Sequence, residues 1–196
     1  MQIKYFGSNW ILCWFTVLTL IFLAGCSGSS DPGDMLEGPF LNFDGDQDSA
    51  PSVTPGTWEF AARFTASDIG SYVGSSLSGL YFYIASRPDA AMAKVYGPGN
   101  ASSPGTLLYS ADITSSLRSN RWLRHDFSSV IPLGSDDIWI SIEVTLPSGG
   151  TSVGCDAGPA SGRGDWLYSA SNGQWRTFQN RTGESVNWNV RGIVAE

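Results

Sequence analysis

From residue 58 onward, apolar and polar side chains repeatedly alternate with a period of two, the pattern of a strand with one face buried and the other wet. Residues 58–64 place Trp58, Phe60, Ala62 and Phe64 on one side. Similar stretches follow at 80–84, 93–96, 106–110, 121–127, 165–168, 174–178 and 186–194. The run 137–145 is almost continuously apolar at its start (Ile138-Trp139-Ile140), which predicts a central strand. About nine short strands separated by Gly, Pro and Ser turns predict an all-β antiparallel sandwich or jelly roll. A single segment has helical character. Thr65 and Asp68 have capping-box spacing, and Ile69, Tyr72 and Val73 follow before Gly74 ends the turn. Gly97-Pro98-Gly99-Asn100 and Ser103-Pro104-Gly105 mark an exposed loop.

The start of the chain follows a different rule. Lys4 precedes an apolar run from Trp10 to Ala24 that is too short for a comfortable membrane span of about 20 residues. It ends in Leu23-Ala24-Gly25-Cys26, which resembles the lipobox of bacterial lipoproteins. There, a thiol receives lipid and the chain is cut before it; fatty-acyl chains such as palmitate then hold the protein on a membrane. The resemblance implies a signal peptide over 1–25 and lipidation of Cys26. Residues 26–38 begin Cys-Ser-Gly-Ser-Ser-Asp-Pro-Gly-Asp and read as a flexible tether, leaving 39–196 as one β-sandwich domain. Ser27, rather than an aspartate, resembles the sorting pattern for the outer membrane, so the expected location is the bacterial cell envelope.

Charge and cysteine content narrow the partners. The net charge of the whole chain is −7, and loss of Lys4 with the leader makes it one unit more negative. An acidic surface disfavours nucleic acid and basic-patch docking on anionic lipid. Of three cysteines, Cys13 leaves with the leader and Cys26 carries lipid, so Cys155 has no partner for an intrachain disulfide. Packing has to stabilise the domain. Six tryptophans follow the leader: Trp58, Trp122, Trp139, Trp166, Trp175 and Trp188. Indole rings suit both a sandwich core and a surface that stacks on sugar rings.

Several segments in order resemble a β-sandwich module of secreted and surface proteins of Bacteroidetes and related bacteria. They are Phe43-Asp44-Gly45-Asp46, residues 61–69 with Tyr72 and Gly74, Tyr81-Phe82-Tyr83, residues 104–110, and Ile138-Trp139-Ile140 with Glu143-Val144. Residues 154–159, Gly164-Asp165-Trp166 and residues 187–192 continue the likeness. That module is similar in architecture to jelly-roll adhesin and carbohydrate-binding domains. The resemblance implies a non-catalytic surface module that binds glycan or another envelope or surface protein.

Two constellations carry candidate chemistry. Asp44, Asp46 and Asp48 place three carboxylates on alternate residues around Gly45, which suits a structural calcium ion or a solvated acidic loop; Pro55 stands where an EF-hand has its glutamate. Residues 154–166 form a glycine-rich loop in which Asp156, Arg163, Asp165 and Trp166, together with Trp188 of the last predicted strand, are candidate ligand contacts. The same loop also reads, and reads better, as one folded over the sandwich end, its aspartates bonded to backbone amides, because loop glycines serve turns as readily as ligands. Arg163-Gly164-Asp165 also spells an integrin-type tripeptide, which chance supplies readily in glycine-rich loops. No catalytic motif stands out: His125 is the only histidine, and H-E-x-x-H and P-loop patterns are absent. The expectation is a binding module without catalytic residues; a structural or assembly lipoprotein, or a hydrolase with an unrecognised site, are the alternatives.

Overall fold

The computed structural model describes residues 38–195. The leader, the lipidation site at Cys26 and nearly all of the tether lie outside the described residues. The strands are β1 (Phe40–Leu41), β2 (Ser52–Val53), β3 (Gly56–Phe64), β4 (Ser76–Ile84), β5 (Ala90–Tyr96), β6 (Leu107–Asp112), β7 (Arg121–Pro132), β8 (Ile138–Leu146), β9 (Gly150–Thr151), β10 (Trp166–Ser169), β11 (Gln174–Thr177) and β12 (Val190–Ala195). Helices α1 (Ala66–Ile69) and α2 (Phe178–Thr182) are each about one turn long. The fold is an all-β antiparallel sandwich. Its sheets have the orders β1-β12-β4-β7 and β11-β10-β3-β8-β5-β6, and β2 pairs with β9 in a small ribbon.

Each predicted strand is present at least in part, the one read over 186–194 starting only at Val190, and the alternation places the core residues of β3, β4 and β8 on one face. From β3, Phe60, Ala62 and Phe64 enter the core; from β8, Ile138, Ile140, Ile142 and Val144; from β4, Leu80, Phe82 and Ile84. The inner faces thus meet as one apolar layer between the sheets. The near-continuous apolar start of β8 reflects its place between β3 and β5, with Trp139 buried on the outer side as completely as Ile140 on the inner.

Local signals act as read at α1. The Thr65 backbone N–H donates to the Asp68 carboxylate at 2.9 Å, the capping contact expected from the spacing. Helix α2 departs from expectation, because residues 174–178 read as a strand through Phe178. The strand stops at Thr177, whose hydroxyl accepts the Asn180 N–H at 3.2 Å, and Gly183 closes the helix at φ +84°. At one side of the sandwich, the edge strands β6 and β7 are clasped: Tyr109 and His125 share a hydrogen bond of 2.8 Å, and Phe127 packs 4.3 Å from the Tyr109 ring. Burial, opposed by Asp126, holds the His125 pKa below its ordinary value. The single histidine is thus placed as a structural clasp.

Candidate functional site

The glycine-rich loop is stitched into the fold. The Cys155 N–H donates to Ser49 O at 2.8 Å, Asp156 N–H to Asn187 O at 3.0 Å and Trp188 N–H to Gly164 O at 2.8 Å. Asp156 accepts Asn187 N–H (2.7 Å), the Asn187 side-chain amide (3.0 Å), Gly158 N–H (2.9 Å) and Gly45 N–H (3.1 Å). Burial alone raises this carboxyl, but its N–H donors outweigh that and leave it below the ordinary value. Two glycines show why the loop is rich in them. A Cβ on Gly164 would lie 2.6 Å from Asn187 Oδ1, and one on Gly158, at φ +78°, would collide with Ser185 O.

The remaining loop candidates are also engaged by the fold. Arg163 donates to Asp68 at 2.9 Å and lies over the Phe43 ring at 5.4 Å. Asp165 is fully buried, accepts Gln179 N–H at 3.0 Å and has its carboxyl raised by burial. The Arg-Gly-Asp tripeptide therefore does not present its aspartate. Trp188 stands in the core, edge-on to Phe60 and Phe178, with its indole N–H donating to Trp166 O at 2.8 Å. Trp166 lies outside the main core, and its neighbours are Ala61, Trp139 and Trp175.

The three aspartates of the acidic loop do not converge. Asp44 is buried and accepts Arg191 Nε at 2.9 and 3.0 Å and the Asn189 amide at 2.8 Å. Arg191 also lies 4.2 Å over Trp122, on the outer face of the four-stranded sheet. Asp46 and Asp48 are exposed. Among the described residues, no group of three or more His, Cys, Asp or Glu side chains is arranged to hold a metal ion.

A different constellation emerges on the outer face of the six-stranded sheet. The register sets Glu59 of β3 directly opposite Glu143 of β8 and Lys94 of β5 opposite Ser141 of β8. Two like charges face to face would repel. Lys94 resolves this by reaching both, at 2.6 Å to Glu143 and 3.4 Å to Glu59. Glu59 is 3% exposed and also accepts the Ser141 hydroxyl and, at 2.8 Å, the Tyr96 hydroxyl. Burial raises the Glu59 carboxyl beyond what Ser141, Lys94 and Tyr96 restore. Burial lowers Lys94, and the two carboxylates more than compensate, so the ammonium stays charged. Burial first, then Glu59, pushes the Tyr96 phenol up, so it acts as a donor.

Aromatic rings continue the same face. Trp139 is fully buried under Trp166 (5.2 Å between centroids) and Trp175 (5.7 Å), and Tyr168 leans on Trp175 at 5.3 Å. Ala61, directly across from Trp166, provides the room. Arg63 lies 5.9 Å over Trp139 and is fixed by Asp137 at 2.6 Å. The Trp139 and Trp166 indole N–H groups are buried without an acceptor, an unusual state for buried donors. Tyr96, Tyr168 and Trp175 remain half-buried. Rings thus border an interlocked acid, base and hydroxyl set.

No family model, curated protein or solved structure matches the chain. Its own residues have to carry the functional reading. Glu59, Lys94, Tyr96 and Glu143 were not singled out by sequence reasoning, although each is a polar residue alternating with apolar ones in a predicted strand. The available signal was the outward set of every second residue: it places Glu59, Glu143 and Lys94 on outer faces without saying that they meet.

Proposed function

We propose that the mature chain is a lipid-anchored recognition module of a bacterial cell envelope. Cys26 carries the lipid, the outer membrane is the destination, and the domain binds glycan on the outer face of the six-stranded sheet. The observation that supports the ligand class is the meeting of half-buried Tyr96, Tyr168 and Trp175 with the Glu59–Lys94–Glu143 network. Rings supply flat apolar area for the C–H face of a sugar, and the fixed carboxylate, ammonium and phenol groups supply directional partners for hydroxyls. Because these groups are already held by one another, little ordering is required on binding. Glu59 itself serves as the support: with its oxygens engaged and its side chain buried, it positions Lys94 and Tyr96.

A polysaccharide pull-down and glycan array with the mature protein tests the reading. Trp175→Ala should weaken binding at least tenfold, equivalent to about 1.4 kcal/mol, while the protein still unfolds in one cooperative transition. If no glycan is retained and an envelope protein cross-links instead, the assembly reading replaces this one. For the anchor, Cys26→Ser should abolish palmitate labelling and release the protein from the membrane fraction; labelling that persists would refute lipidation at this residue.

A further inference from the structure

The four large apolar residues most exposed among the described residues are Val73 (52%), Leu107 (48%), Leu108 (52%) and Val130 (56%). All four belong to one end of the sandwich. Leu107 and Leu108 open β6, Val73 stands just before β4, and Val130 is two residues from Pro132, which pairs with Ser76 at the start of β4. Between these segments is a cleft of about 260 Å³ walled by Ile69, Pro98, Leu108, Pro132, Leu133 and Ile138. Single exposed apolar residues are ordinary on a protein surface, but a group of them at one end, with Leu108 lining an apolar cleft, marks a contact site.

Charge and backbone specify the occupant. Asp136 and Asp137 also line the cleft. Arg63 neutralises Asp137, while Asp136 is exposed and has no ion-pair partner among the described residues, so the rim is net negative. Strand β6, which carries Leu107 and Leu108 into this end, is an edge strand hydrogen-bonded on one side to β5. An edge strand offers unpaired N–H and C=O groups to another extended chain. We propose that this end docks an extended polypeptide segment, which pairs its backbone with β6 and places one apolar side chain, flanked by Lys or Arg, in the cleft. Apolar anchors in desolvated pockets are the usual source of such binding energy. The inference stands on different residues from the glycan reading and does not depend on it.

The test uses the mature lipidated protein in nanodiscs, panned with a phage-displayed random decapeptide library. Enriched peptides should carry an aliphatic or aromatic residue beside Lys or Arg. For a synthetic peptide of that sequence, Leu108→Ser should raise Kd at least tenfold and Asp136→Asn several-fold. Trp175→Ala should leave Kd unchanged. N-methylation along the peptide should weaken binding at alternate positions only, as strand pairing requires. Leu108 and Asp136 are exposed, and melting curves of all three variants verify their fold. Failure to enrich peptides above empty nanodiscs, equal binding to Leu108→Ser and Asp136→Asn, uniform effects of N-methylation, or protein-dependent binding of lipid vesicles in place of peptide would each overturn the proposal.

Discussion

The two faces of the six-stranded sheet are built from the same strands and alternate residues, yet they solve different problems. On the inner face, β3 and β8 contribute Phe60, Ala62, Phe64, Ile138, Ile140, Ile142 and Val144, all sealed against the second sheet. On the outer face, the intervening positions of those strands contribute Glu59, Ala61, Arg63, Trp139, Ser141 and Glu143. Inner residues need only apolar character and volume, and many combinations would fill the layer. Outer residues depend on identity: replacing Lys94 by any neutral side chain leaves Glu59 and Glu143 opposed. Trp139 and Glu59 are buried on this face where aromatic rings and ion pairs interlock.

Removing the largest core ring should have the greatest effect on stability. Trp188→Ala is expected to lower unfolding free energy by about 3–5 kcal/mol, measured by urea denaturation, because the indole fills the space between Phe60 and Phe178. A loss below about 1 kcal/mol would place Trp188 outside the core's energetic centre. On the outer face, Lys94→Met is expected to cost up to about 3 kcal/mol, the lower edge of the range for breaking a buried ion pair, because Lys94 and Glu143 keep some contact with water. Glu59→Gln in that background should recover part of the loss by removing one of the two opposed charges. Absence of recovery would mean that the carboxylates do not interact.

Acidity separates two buried carboxyls more subtly. The folded Glu59 carboxyl is raised, so the native state holds its proton more tightly than the unfolded chain does. Its ionisation therefore weakens the fold as pH rises above the ordinary glutamate value of 4.5. Asp156 is lowered, and its contribution is present above the ordinary aspartate value of 3.8 and lost as pH falls through the depressed folded value. Relative to the parent protein, Glu59→Gln should improve as pH rises from 4.5 towards neutrality, whereas the deficit of Asp156→Asn should grow as pH rises to 3.8. Unfolding curves across pH 3–7 test the opposite signs; parallel profiles would refute them. The smallest effect is expected at the exposed Asp46: Asp46→Asn should change stability by no more than about 0.5 kcal/mol, and a larger change in calorimetry would assign this side chain a structural role.

Nine of the twelve strands were legible because alternation is a local consequence of backbone geometry, whereas the two-residue β1, β2 and β9 are too short to show it. The α1 cap was legible for the same reason, since Thr65 and Asp68 are three residues apart and need no distant partner. At α2, local signals competed: Trp175, Thr177 and their neighbours continued a strand pattern, while Thr177 and Gly183 marked a helix start and stop. The glycine-rich loop was legible as a loop, with both its readings open, and the packing of Gly158 and Gly164 against residues 185–187 turned it inward. Of the candidate site, Trp166 was visible in advance. Glu59, Lys94, Tyr96 and Glu143 were not, because they come from three separate strands.

By itself, the amino-acid sequence determined that this chain has strands, which side of each is apolar, and that residues 39–196 hold a single cysteine, Cys155. These properties depend on neighbours within a few residues or on composition. Tertiary structure decided that β10, β3, β8 and β5 lie side by side, and in which register. Strand order and register minimise exposed apolar surface summed over both sheets, a quantity no single segment contains. Only after that sum is settled do Glu59 and Glu143 oppose each other, with Lys94 between them and the tryptophans alongside.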